Sequence, residues 1–112
     1  MRQLTLCASL GRAAQDHSAD QAATRVMSHT GSDGSTLRMR VERAGYLGWM
    51  GIAENVAAGY PDVASVMAAW MASSGHRANL LATATEHVGF GMARASDGTL
   101  YWTQDFGRSG TC

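Results

Sequence analysis

The 112-residue sequence carries no net charge and no lysine: nine arginines stand against nine acids. Bulk electrostatics therefore gives it no pull toward nucleic acid or an anionic membrane. Arginine suits rigid, bidentate pairing with carboxylates, although a genome's base composition produces the same bias. Its apolar stretches fall far short of the roughly 20 residues that a membrane span needs. Residues 1–10 hold one charge and no sustained apolar block, so they do not read as a secretory signal. Cysteine is scarce: Cys7 and Cys112 are too few for a cysteine-only zinc site, which leaves a disulfide or two free thiols. Internal repeats and low-complexity segments are missing. So are a His-Glu-x-x-His zinc motif and a Gly-x-Ser-x-Gly nucleophile elbow.

What is present fits one ordered domain, 46% hydrophobic and 16% charged. The spacing of Leu6, Leu10, Ala13, Ala14, His17 and Gln21 predicts a helix over residues 4–27, with His17 on its buried stripe. Gly31, Asp33 and Gly34 turn the chain. A short helix capped by Ser35 or Thr36 follows, its inner stripe Leu37, Val41 and Ala44. Residues 50–56 read as a strand. Pro61 is placed as the first residue of a third helix, with Asp62 in its first turn and Val63, Val66, Met67 and Trp70 facing inward. Ser73-Ser74-Gly75 breaks that helix, and His76 opens a short one through Leu81. Val88, Phe90 and Met92 then alternate with small residues. After a turn at Asp97-Gly98, Leu100, Trp102, Gln104 and Phe106 alternate in return, as in an antiparallel hairpin. Helices before and between strands argue for an α+β layered domain.

Three segments place a proton-active residue beside small ones. His29 lies where the first helix gives way to a glycine-rich loop, as a surface imidazole or as a ligand or proton relay. Glu54 sits among small apolar residues, where a carboxylate must reach solvent, a cation or a histidine. His76 follows Ser74-Gly75 at a helix start, where the dipole opposes protonation. Asn55 can orient Glu54. Tyr101 is expected to line a groove, Trp102 and Phe106 to be core, and His87 to be exposed.

These segments, in order, resemble the CAP superfamily of cysteine-rich secretory, antigen 5 and pathogenesis-related proteins. The match is closest to its compact bacterial branch. The resemblance rests on His17-Ser18-Ala19-Asp20, Ser28-His29-Thr30-Gly31, Ala53-Glu54-Asn55-Val56-Ala57, the Trp70 to Arg77 segment, Val88-Gly89-Phe90-Gly91 and Tyr101-Trp102-Thr103-Gln104-Asp105-Phe106-Gly107. It implies a single domain over residues 1–112, a three-layer α-β-α sandwich with a small antiparallel sheet. It also implies that the family's first helical segment, and any export signal, would lie ahead of residue 1. A secreted or periplasmic setting follows, and with it an oxidising compartment in which Cys7 and Cys112 are bridged.

The family places two His and two Glu in a central cleft. His29, Glu54 and His76 match three of these, and Ser73 stands where longer relatives carry the second Glu. Two imidazoles and a carboxylate with water are a reasonable first shell for Zn2+ or another divalent cation, with His29, His76 and Glu54 as ligands. The expected function is a secreted binding module whose cleft takes a cation, a small ligand, a lipid or a cell-surface component. The alternatives are a metal-assisted or serine-type hydrolase, and a structural cell-surface domain.

Overall fold

A computed structural model describes residues 3–112; Met1 and Arg2, part of the start read for an export signal, lie outside the described residues. The element order is β1 (Thr5–Leu6), α1 (Ala8–Thr24), α2 (Leu37–Arg43), β2 (Gly51–Ala58), α3 (Val63–Ala72), α4 (Ser74–Leu81), β3 (His87–Arg94) and β4 (Leu100–Arg108). The strands form one sheet in the order β1-β3-β4-β2. The β3–β4 hairpin is antiparallel with His87 opposite Gly107, and β2 pairs antiparallel with β4, Glu54 opposite Asp105. That leaves β2 on an open edge. The fold is the expected α+β sandwich, with one addition: β1 pairs parallel with β3. Thr5 and Leu6 therefore extend the sheet, and α1 starts four residues later than the periodicity predicts.

Alternation along β4 assigns the layers. Leu100 and Trp102 pack with Ala57, Val66 and Trp70, so α3 and α4 cover one face. Thr103 accepts from Ser18 Oγ and Gln21 Nε2, so α1 covers the other. Close approach on the α1 side requires glycine in β3. A Cβ on Gly89 would run into the backbone of Leu10 and Gly11, and one on Gly91 into Ala14. Phe90 and Met92 consequently point away from α1 and stay exposed.

Local chemistry sets the helix starts. Thr36 caps α2 by accepting from the Met39 amide. Asp62 caps α3 in a reciprocal capping box with Ser65, so Pro61 precedes the cap instead of opening the helix. Val63, expected inside, is 64% exposed. Ser73 is the residue before α4, which places His76 inside the first turn of that helix.

Two other expectations are corrected. Tyr101 does not line a groove: it is buried against Ala22 and Ala95, because its strand face is the one α1 covers. His87 is half-buried, its Nδ1 2.8 Å from the Tyr46 hydroxyl. Cys7 and Cys112 are disulfide-bonded across 105 residues, with Cα atoms 5.0 Å apart. A loop of that size implies about 4–5 kcal/mol of stabilisation in the chain-entropy account.

Candidate functional site

Glu54 and Asn55 are adjacent on the edge strand β2, and both are buried. A strand sends successive side chains to opposite faces, so the two lead into different layers.

Glu54 enters the α1/α2 layer. Its Oε2 accepts from Arg40 Nη1 at 2.7 Å, and its Oε1 accepts from Arg40 Nη2 at 3.0 Å and His29 Nδ1 at 2.9 Å. Arg40 Nη2 also donates to the His29 carbonyl at 2.6 Å, which fixes the loop carrying that histidine. The Glu54 side chain is 1% exposed and the His29 side chain 59%. A buried, clamped carboxylate thus holds an imidazole that itself faces water. With Nδ1–H donating to Glu54, the lone pair of neutral His29 lies on Nε2.

Two more titratable groups complete this layer. His17 is 1% exposed, and its Nε2 meets the Ser28 carbonyl at 2.6 Å; that nitrogen must carry the proton, since a carbonyl only accepts. Burial, and then the Arg40 charge, push the His17 pKa down, so the ring is held neutral despite its carbonyl partner. Asp105 is fully buried opposite Glu54, and among the described residues no N–H donor reaches either of its oxygens. Pairing with Glu54 therefore needs a proton on Asp105. Burial first, then the Glu54 hydrogen bond and charge, raise its pKa well above the usual carboxylate range. Burial works against Glu54 ionisation too, but hydrogen bonds from Asp105, Arg40 and His29 and the Arg40 charge outweigh it. One proton serves the pair. Asp105 keeps it, because Arg40 sits on Glu54.

Asn55 enters the α3/α4 layer. Its Nδ2 donates to the His76 carbonyl and to Gln104 Oε1, both at 3.2 Å, while its Oδ1 accepts from Asn79 Nδ2 at 2.9 Å. Asn79 Nδ2 also lies 3.3 Å from the Glu54 carbonyl. These amides fix the first turns of α4 against β2. His76 is half-buried there and Ser73 lies just before it. So His29 and Glu54 are joined directly, whereas His76 is held in the α3/α4 layer, its carbonyl bonded to Asn55.

The sequence reading missed Arg40 and Asp105. Arg40 carried a signal, being three residues after Leu37 and four before Ala44 on the inner stripe of α2, whereas Arg38 and Arg43 fall off it. So did Asp105: an acid between Gln104 and Phe106 in a strand covered on both faces has to be paired or protonated.

The family model for the cysteine-rich secretory proteins (CAP) matches residues 1–106. The chain belongs to the CAP family. An uncharacterized membrane protein of Bacillus subtilis (strain 168), YlbC, is 32% identical over 90 residues, covering 80% of this chain and 24% of that protein. Among solved structures, an outer surface protein of Borrelia burgdorferi superposes with a TM-score of 0.87 at 22% identity, covering 96% of this chain and 79% of that one. An extracellular protein of Bacillus anthracis that contains an SCP domain gives 0.85 at 29% identity, over 97% of this chain and 35% of the other. The chain thus spans about a quarter of the curated relative it matches. The carboxylate of this site, Glu54, is already paired with Arg40, Nη1 to Oε2 at 2.7 Å. Among the described residues, no helix is long and apolar enough to cross a membrane.

Proposed function

We propose that the chain is an extracellular CAP-type binding module that takes a divalent cation of the zinc class, weakly, through His29 Nε2 and the His76 imidazole. The observation that carries this reading is the exposed His29 ring held by Nδ1 on a buried Glu54 that Arg40 clamps. A carboxylate behind an imidazole fixes its tautomer and raises its basicity, as around zinc-binding histidines generally. Glu54 is therefore better cast as the group that orients His29 than as a metal ligand, since both its oxygens are occupied by Arg40. Two neutral nitrogens with no free carboxylate make a weak site, and acid competes for both.

The hydrolase reading needs a hydroxyl hydrogen-bonded to a histidine base. Among the described residues no serine or threonine hydroxyl is bonded to an imidazole: His17 meets a carbonyl, His87 meets the buried Tyr46 hydroxyl, and His29, although held on Glu54 as a base would be, has no hydroxyl partner at Nε2. Export rests on kinship with outer-surface and extracellular proteins and on the disulfide.

Calorimetric titration of zinc into the oxidised, chelator-stripped protein tests the proposal. One weak site is expected, lost in both His29→Ala and His76→Ala. If both variants bind as the wild type does, these histidines are not the ligands.

A further inference from the structure

At the opposite end of β3 from the β3–β4 turn, Cys7, His87 and Cys112 offer ligand atoms that all lie within 4.8 Å of one another. None of these residues belongs to the His29 site. We propose that the disulfide is one state of a redox-switched metal site, and that reduction converts it into a zinc site with Cys7, Cys112 and His87 as ligands.

The donor set suits the metal. Two thiolates and an imidazole are common zinc ligands, and water can fill the fourth tetrahedral position. Bonds of about 2.3 Å to sulfur and 2.0–2.1 Å to nitrogen place such atoms roughly 3.5–3.8 Å apart. The present cluster needs only small side-chain movements to meet that spacing. Cys7 is buried, His87 half-buried and Cys112 exposed, so the site opens to solvent on the tail side.

The surroundings keep the three residues together without the covalent bond. The Cys7 amide donates to the Val88 carbonyl at 2.9 Å, beside the Thr5–His87 pairing of β1 and β3. The tail is seated through Thr111. Its amide donates to the Leu47 carbonyl, its hydroxyl donates to the Gly45 carbonyl and accepts from the Leu47 amide, and its own carbonyl accepts from Ser9 Oγ. His87 is oriented by the Tyr46 hydroxyl at 2.8 Å and by an edge-on ring contact. Hydrogen-bonded support behind a ligating histidine is what metal sites use to fix the ring.

The chemistry balances with a dithiol reductant. The dithiol gives two electrons and two protons to the Cys7–Cys112 bond and closes to its own disulfide. Each sulfur becomes a thiol. Zinc then takes both sulfurs as thiolates, and the two protons pass to solvent. The oxidised and metal-bound states exclude each other, because the same sulfur atoms make either bond.

The test uses the whole chain reduced with a phosphine, which delivers the same two electrons while its oxygen comes from water. After desalting under nitrogen, Co2+ and then Zn2+ are added. Reduced wild type is expected to bind one cobalt with thiolate-to-cobalt charge-transfer absorption, to surrender it to zinc, and to release two protons per metal. The oxidised protein, Cys7→Ser and Cys112→Ser should show no such absorption. His87→Ala should weaken binding at least tenfold and change the cobalt spectrum, and Tyr46→Phe should weaken it about tenfold, as loss of a supporting hydrogen bond does elsewhere. The double variant His29→Ala/His76→Ala should keep the thiolate band, which separates this site from the one proposed above. Absence of the band in reduced wild type, or an unchanged affinity and spectrum in His87→Ala, overturns the proposal. Circular dichroism covers the case in which reduction unfolds the chain. Refolding on zinc that requires His87 supports the site, and metal binding by a chain that stays unfolded overturns it.

Discussion

On the α3/α4 side of the sheet, Ala57, Val66, Trp70, Leu100 and Trp102 form an apolar cluster. Its indole N–H groups donate to the Val56 and Tyr60 carbonyls. On the α1/α2 side, the space beneath the first helix holds Arg40, Glu54, Asp105, His17, Gln21 and Thr103, all buried. The apolar cluster is held by packing, whose strength does not depend on pH. The polar cluster lies beside an apolar one of its own side, built on Leu10, Ala13, Val41 and Tyr46, and adds one cation, one shared proton and one neutral imidazole, each conditional on its neighbours. That conditional layer is where an imidazole is presented to water. A packed apolar face could support the strand but could not fix a tautomer.

Removing one key residue from each layer exposes the contrast. Arg40→Met leaves a buried carboxyl pair without its cation and should cost about 3–5 kcal/mol in urea unfolding at pH 7. Trp70→Ala should cost a similar 3–5 kcal/mol by leaving a cavity. Their pH dependence should differ. Acidification lets Glu54 take a proton, so part of the Arg40→Met loss returns near pH 4, whereas the Trp70→Ala loss stays constant from pH 4 to 8. Equal pH profiles for the two variants would mean that the polar layer is not electrostatically controlled.

Close packing of α1 on β3 is the next largest effect. Gly91→Ala drives a methyl group into the Ala14 backbone, which no side-chain rotation relieves. Overpacking of this kind should cost about 1–3 kcal/mol by thermal or urea unfolding. Gly98→Ala serves as contrast: no heavy atom lies within 4 Å of the added methyl, and any penalty comes from its φ of +89°.

Asp105 tests the shared proton. Its folded pKa lies above the ordinary 3.8, so the stability contributed by the protonated form is complete below that value. It drains away as pH rises through the folded pKa. Glu54 runs the other way: its folded pKa lies below the ordinary 4.5, and its contribution is lost as pH falls through the folded value. Asp105→Asn supplies a donor to Glu54 at every pH. It should therefore gain on the order of 1 kcal/mol at pH 8 and flatten the stability profile above pH 4. A net loss at pH 8 with the wild-type slope retained would place the proton elsewhere.

The apolar layer was far more legible in the sequence than the polar one. Val66, Trp70, Leu100 and Trp102 announce their burial through helical and strand spacing, and the hairpin follows from alternation around Asp97-Gly98. The errors there are local ones. Asp62 rather than Pro61 opens α3, because its side chain reaches the Ser65 amide and leaves proline outside the helix. The polar layer depends on pairings across many residues, such as Arg40 with Glu54 or Ser18 with Thr103, and although helical spacing puts Arg40 on the inner stripe of α2, no periodicity records which acid it meets. His29 and Glu54 were found through their unusual settings and the family pattern. Tyr101 was misplaced because alternation gives the two strand faces without saying that both are covered. His87 was misplaced because its partner, Tyr46, lies 41 residues away.

The smallest effect on stability should come from the residue that matters most for binding. His29 is exposed, so His29→Ala removes no packing; it takes one donor from Glu54 Oε1, which keeps Arg40 Nη2, and should cost about 1 kcal/mol or less in unfolding. It should nevertheless abolish zinc binding in the oxidised protein. Glu54→Gln separates the orienting role from the ligand role. The amide keeps the shape of the carboxyl but takes away the charge that Arg40 and the His29 Nδ1–H are bonded to. If Glu54 acts by holding His29, the variant should bind zinc about 10–100-fold more weakly, as loss of a supporting carboxylate does elsewhere, and still depend on His29. If Glu54 is itself a ligand, the variant should lose binding outright, as His29→Ala does. Zinc affinity should also fall as pH drops, since protons and metal compete for the same imidazole lone pairs. An affinity unchanged between pH 8 and pH 5.5 would show that oxygen ligands hold the ion, and His29 would then be an exposed side chain supported by Glu54 for some other purpose.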